Sequence, residues 1–149
     1  MASRKGKYSQ EFEYAIATEA DYAGVMDIDR NMYDGIDYLP KKYFEYVNDP
    51  YRLCVVVKHH HKIIGFTVKY IVDDGKTVIS QAGRVHSDYQ SQGISAFIEQ
   101  FTQKLLRKKY HIERMVWITT DREASNRLAS RHSEVSHMME RVSSLKRIF

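Results

Sequence analysis

Val85-His-Ser-Asp-Tyr-Gln-Ser-Gln-Gly-Ile-Ser95 is the stretch from which the fold is read. Upstream of it, Thr77 to Val85 alternates in the manner of a half-buried strand. Downstream, Ile94, Phe97, Ile98, Phe101 and Leu105 recur at the spacing of one helix face. Between strand and helix lies a polar loop that ends Gln90-Ser91-Gln92-Gly93. A loop so placed delivers backbone N–H groups to the positive end of a helix, which binds a phosphate or diphosphate without any charged side chain. Gly93 is read as the position where the backbone approaches such a ligand and a Cβ would obstruct it.

Outward from this stretch the elements follow by period and punctuation. Phe12 to Ala17 reads as a first strand, and Thr18-Glu19-Ala20-Asp21 as a capping box opening a helix to about Asn31. Met32 to Pro40 is a loop with Asp34-Gly35 as its turn, followed by a short helix from Lys41 to Val47 that buries Tyr43, Phe44 and Val47. Leu53 to Val57 and Ile63 to Val72 are β-branched runs joined by a short polar link, the pattern of an antiparallel hairpin. Asp73-Asp74-Gly75-Lys76 turns the chain into the strand ending at Val85. Met115 to Thr119 is a further strand, Ala124 to about His132 a helix, and the segment from Val135 a last strand. The order β-α-α-β-β-β-α-β-α-β predicts an α/β fold: one domain over 11–149 behind a flexible basic tail at 1–10. Its sheet is mixed, largely antiparallel and twisted, with helices on both faces and the usual partner of the last strand missing. An edge left in that state needs cover, and a homodimer exchanging the last strand is one arrangement that supplies it.

Composition narrows the classes. The chain has 149 residues, 43% hydrophobic and 28% charged, which suits one globular domain. No apolar run approaches the roughly 20 residues of a membrane span, and the basic start has no apolar core of a secretory signal, so no membrane partner is expected. The single cysteine, Cys54, lies in an apolar run and suits a reducing, cytoplasmic setting. The net charge of +4 suits an anionic partner. Its densest cluster, Lys104 to Lys109, closes the motif helix where cations complement the dipole, so no nucleic acid is expected. His59-His60-His61 sits on a hairpin turn with no adjacent carboxylate or cysteine, so no metal is expected either.

Val85, Gln90 and Gly93 resemble the valine, arginine-or-glutamine and glycine of the diphosphate motif in the GNAT superfamily of N-acetyltransferases, with Ser87 and Ser95 at its usual proline and final small positions. The resemblance implies acetyl-CoA as cosubstrate, held by backbone amides of Val85, Gln90, Ser91, Gln92, Gly93, Ile94 and Ser95. Asn126 matches an asparagine that contacts the pantetheine arm in many members. The tyrosine expected seven positions later is replaced by Ser133, a weak candidate for the acid. For the base the candidates are His86, Asp34 and Asp37, while Gln81 could orient only a water or the substrate.

The loop Tyr33-Asp-Gly-Ile-Asp-Tyr-Leu-Pro40 resembles the vertebrate histidine N-acetyltransferase group, whose reaction transfers acetyl from acetyl-CoA to L-histidine. By that resemblance Asp34 and Asp37 hold a cationic amine or imidazole, and Tyr33 and Tyr38 stack on the ring. Members of that group are about twice as long, and their second half completes the site. Two readings stay open: an N-acetyltransferase for a small amine, and a non-catalytic acyl-CoA-binding or dimerisation module. A protein-lysine acetyltransferase is a third, disfavoured by the lack of an acidic surface for basic tails.

Overall fold

The computed structural model describes residues 11–30 and 37–117. Its described strands form one five-stranded sheet in the order β1-β2-β3-β4-β5. They are β1 (Phe12–Ile16), β2 (Arg52–His59), β3 (Lys62–Val72), β4 (Thr77–Val85) and β5 (Arg114–Trp117). The first four pair antiparallel, and β4 with β5 is parallel, from Thr77↔Arg114 to Ser80↔Trp117. The parallel pair requires a crossover, which the helix after the quoted loop provides. The described helices are α1 (Tyr22–Met26), α2 (Leu39–Asn48) and α3 (Ile94–Arg107).

The strands form where the sequence is β-branched, and they bury both faces. Cys54, Val56, Phe66 and Val68 meet Val25, Ile28, Leu39, Tyr43 and Tyr46 under α1 and α2. On the opposite face Val57 and Ile64 meet Ile94 and Ile98 of α3, with Ile71 and Val78 against Leu106 further along. Helices therefore cover both faces, as expected. Burial pushes the Cys54 thiol up to about 12, so it stays protonated and serves as a small core residue.

Some boundaries differ from expectation. The Thr18 and Asp21 pair forms as read, with the Thr18 amide donating to Asp21 Oδ2 at 2.9 Å. The helix it opens is one 3₁₀ turn followed by the five residues of α1, ending well before Asn31. Asp27 and Asp29 are weak helix formers, and Arg30 bonds back to Asp27 at 2.7 Å, favouring a turn there. α2 begins at Leu39 with Pro40 in its first turn, two residues earlier than expected. Its buried stripe is Leu39, Tyr43 and Tyr46, spaced i, i+4, i+7, while Phe44 is exposed and stacks on Tyr22 at 5.0 Å. On α3 the most buried stripe is Ile94, Ile98, Thr102 and Leu106, with Phe97, Phe101 and Leu105 half-buried beside it. Thr102 is tolerated in that stripe because its hydroxyl donates to the Ile98 carbonyl at 2.9 Å. The helix from Ala124 and the last strand from Val135 lie outside the described residues.

Candidate active site

β4 is the strand that positions everything else. Near its end the ladder to β3 slips: Val68 pairs with Gln81 but Phe66 pairs with Arg84, so Ala82 and Gly83 together face Thr67. This is a β-bulge, and Ala82 takes φ 52 to make it. An alanine in the left-handed region costs about 1–2 kcal/mol, so the surrounding core must hold the bulge in place. Ala82 is buried in the α1/α2 core. Among the described residues, β5 pairs with β4 only as far as Ser80, so beyond Ser80 the outer edge of β4 is open there.

The residues after Val85 form a braced loop. His86 caps a 3₁₀ turn, Ser87–Tyr89, its Nδ1 accepting from the Asp88 amide at 3.1 Å. Gln90 Nε2 donates back to the Val85 carbonyl and Gln92 Nε2 to the Asp88 carbonyl, both at 3.2 Å. Ser91 and Gly93 adopt φ 65 and φ 79, and Gly93 is the N-cap of α3. A Cβ on Gly93 would meet only Phe97 Cε2 at 3.9 Å, so among the described residues its backbone angle, rather than crowding, calls for glycine. The Gln90 amide is used within the loop, on the Ser87 carbonyl at 3.4 Å. From Ser91 through Ala96 no amide has a backbone partner among the described residues; the next one used is that of Phe97, on the Gly93 carbonyl at 3.1 Å. Free N–H groups thus gather at the start of a 14-residue helix whose last turn carries Lys104 and Arg107. The donor set suits a diphosphate: several unpaired amides, a helix dipole and open space over Gly93.

On the α1/α2 face of the bulge stands a second group. Arg84 is buried, its side chain 1% exposed, and its Nη1 and Nη2 donate to the two oxygens of Asp37 at 2.7 and 3.1 Å. Arg84 Nε donates to the Ala82 carbonyl at 3.2 Å, and the Leu39 amide to Asp37 Oδ1 at 3.1 Å. Burial pushes the Asp37 carboxyl up, but the Arg84 and Leu39 hydrogen bonds and the guanidinium charge outweigh it and hold it below its usual range. Gln81 lies on this same face, opposite Val68, and its Oε1 is buried with no hydrogen-bond partner among the described residues.

The residues expected at the site therefore divide. Val85 ends β4, and Gln90, Ser91, Gln92, Gly93, Ile94 and Ser95 are gathered in the loop and helix start that follow. His86 is at the loop's root, but its Nδ1 is already an acceptor and its Nε2 faces Lys62 Nζ at 3.4 Å. Asp37 is tied to Arg84, and Tyr38 beside it is exposed. Tyr33, Asp34, Asn126 and Ser133 lie outside the described residues. Two residues were missed. Arg84 was signalled by a charge in an otherwise apolar strand end. Tyr89, whose hydroxyl meets His59 Nδ1 at 2.7 Å and whose ring lies edge-on to Phe12, gave no local signal.

An antiparallel meander crossing by a helix into a parallel strand, with an amide cradle at that helix's start, defines a class of α/β proteins built to seat a diphosphate-bearing ligand. The profile of the Acetyltransferase (GNAT) family matches residues 17–133, and the chain belongs to that family. A histidine N-acetyltransferase from Xenopus tropicalis is 29% identical over 115 residues, 77% of this chain and 36% of that protein. The human probable N-acetyltransferase 16 is 26% identical over 113 residues, 76% of this chain and 31% of that protein. The chain thus aligns with about a third of the length of these curated relatives. Among solved structures, an aminoglycoside acetyltransferase from an uncultured soil metagenomic sample, in complex with sisomicin, superposes with a TM-score of 0.67 at 14% identity. That match covers 85% of this chain and 88% of that one. The PaiA N-acetyltransferase of Thermoplasma acidophilum, in complex with coenzyme A, superposes with a TM-score of 0.57 at 15% identity, covering 66% and 73%.

Proposed function

We propose that the chain is an acyl-CoA-dependent N-acetyltransferase whose acceptor is a small-molecule amine, L-histidine or a related amino acid. The observation that carries the reading is the run of unpaired amides from Ser91 to Ala96 at the start of α3. Acetyl-CoA, when bound, supplies the activated acyl group and a thiolate leaving group.

The chain's own residues hold and orient. The amides of Ser91 to Ala96 take the diphosphate, and Gln90 and Gln92 keep the loop in shape by bonding to its carbonyls. The bulge at Ala82 and Gly83 takes a residue of β4 out of regular pairing with β3, and a backbone amide re-aimed by it is the donor for the developing oxyanion. Gln81 Oε1 accepts a hydrogen bond from the incoming amine and points its lone pair at the acyl carbon. His86 caps the loop at its root, its Nδ1 accepting from the Asp88 amide and its Nε2 facing Lys62 Nζ. Asp37, paired with Arg84 and with the Leu39 amide, anchors the start of α2, and by the family resemblance Tyr33, Asp34 and Tyr38 serve the acceptor. By the family resemblance, Asn126 is the residue assigned to the pantetheine arm and Ser133 the candidate acid for the departing thiolate; both lie outside the described residues.

L-histidine is supported by the relatives' activity and by the resemblance of the Tyr33 to Pro40 segment. The test is thiol release from acetyl-CoA by the purified chain, comparing L-histidine, other free amino acids, a polyamine, an aminoglycoside and a lysine peptide. Turnover highest with L-histidine is expected. Turnover confined to the aminoglycoside or the peptide would overturn the acceptor. No turnover with any amine, alongside thermal stabilisation by coenzyme A, would overturn catalysis by this chain and leave a binding module.

A further inference from the structure

We propose that Glu11, His59 and His60 form a binding site for a zinc-class divalent cation at the tip of the β2–β3 hairpin. The sequence alone argues against a metal here, because three neighbouring histidines on a turn do not converge and no carboxylate adjoins them. The fold supplies the missing carboxylate from 48 residues away. Phe12 of β1 pairs with His59 of β2, so the preceding residue, Glu11, is carried alongside the hairpin tip. Ligand atoms of Glu11, His59 and His60 then lie within 4.8 Å of one another.

The spacing suits an ion better than a direct bond. His59 Nε2 and Glu11 Oε2 are 3.4 Å apart, long for a charge-assisted hydrogen bond, which closes to about 2.7–2.9 Å. Tetrahedral zinc with bonds of about 2.0–2.1 Å sets its ligand atoms roughly 3.3 Å apart. Two imidazoles and one carboxylate are also a donor set zinc takes readily, leaving a fourth position for water.

Two further features prepare the site. Tyr89 Oη lies 2.7 Å from His59 Nδ1, and accepting that N–H fixes the tautomer with the lone pair on Nε2, the nitrogen facing Glu11. The His59 ring is half-buried and flanked by Phe12 at 5.2 Å, which limits its rotation. In addition, the two-residue turn is made by His60 and His61 with φ 49 and φ 67, a turn usually given to Asn-Gly. That backbone holds the His60 ring 4.1 Å from the His59 ring and keeps the two donors together. The site shares Tyr89 with the loop after β4 but does not rest on the acetyl-transfer reading.

The test is calorimetric titration of Zn²⁺ into the chelator-stripped full chain, with Glu11→Gln, His60→Ala, Tyr89→Phe and His111→Ala beside it. One saturable event is expected. It should weaken at least tenfold in Glu11→Gln and His60→Ala, about tenfold in Tyr89→Phe, and stay unchanged in His111→Ala. Long-range ¹H–¹⁵N spectra of the unmodified chain give the same answer without any variant: Zn²⁺ should shift the imidazole nitrogens of His59 and His60. No saturable binding, equal affinity in Glu11→Gln and His60→Ala, or shifts centred on His86 or His111 would overturn the site.

Discussion

Replacing Arg84 by methionine removes the charge that holds Asp37 and keeps most of the buried volume. The guanidinium's side chain is 1% exposed and the carboxylate's 12%, so neither is well solvated. Breaking such a pair from one side costs about 3–5 kcal/mol, because the remaining charge stays buried without its partner. Asp37 retains the Leu39 amide at 3.1 Å and a little solvent, which places the cost near the lower end, at about 3 kcal/mol. For a domain of this size that is a fall in Tm of about 6–12 °C. The Arg84→Met/Asp37→Asn double variant removes both charges, and its cost should lie far below the sum of the two single variants. The assay is chemical denaturation of the four proteins, with KM for acceptor and for acetyl-CoA measured on each. The acceptor KM should rise more than the coenzyme KM, because the pair anchors the α1–α2 segment and not the loop after β4. A loss below about 1 kcal/mol in Arg84→Met, or strict additivity in the cycle, would refute a buried, coupled pair.

Three other outcomes follow from the same geometry. Because the Asp37 carboxyl is held below its usual range, its stabilising contribution is complete above the unfolded value of about 3.9 and is lost as pH falls through the folded value. An acid titration followed by circular dichroism should therefore be shallower below about pH 4 in Arg84→Met than in the parent chain. Gly93→Ala should cost about 1–2 kcal/mol from its φ of 79 alone, since no described neighbour obstructs the methyl, and should weaken coenzyme A in a thermal-shift titration. Lys69, fully buried, donates to Ser80 Oγ at 2.6 Å and is paired with Glu99 of α3; burial lowers its pKa against the pull of Glu99. Lys69→Met alone should destabilise by about 3 kcal/mol in urea, whereas Lys69→Met with Glu99→Leu should come within about 1 kcal/mol of the parent.

What the sequence revealed was set by distance along the chain. Alternation along Thr77 to Val85, the turn at Asp73 to Lys76 and the apolar face from Ile94 are local, and each element formed where its period indicated. The diphosphate loop was legible for the same reason: strand, polar residues, glycine and helix follow within 20 residues or so. Helix ends were less so, because Pro40 allowed α2 to start at Leu39 and turned Tyr46 inward where Phe44 had been expected. Long-range pairings left no local trace. Arg84 with Asp37 spans 47 residues, and Glu11 with His59 spans 48. The bulge at Ala82 had one local mark, Gly83 inside the strand, but the positive φ falls on the alanine, which carries no such signature.

The measurement that bears most directly on the central claim is a coenzyme A titration followed by backbone amide NMR of the full chain. The largest shifts are expected on the amides of Ser91 through Ala96, with smaller ones at Gly83 and Val85. Binding that leaves Ser91 to Ala96 unmoved and shifts residues elsewhere, or no binding at all, would contradict it.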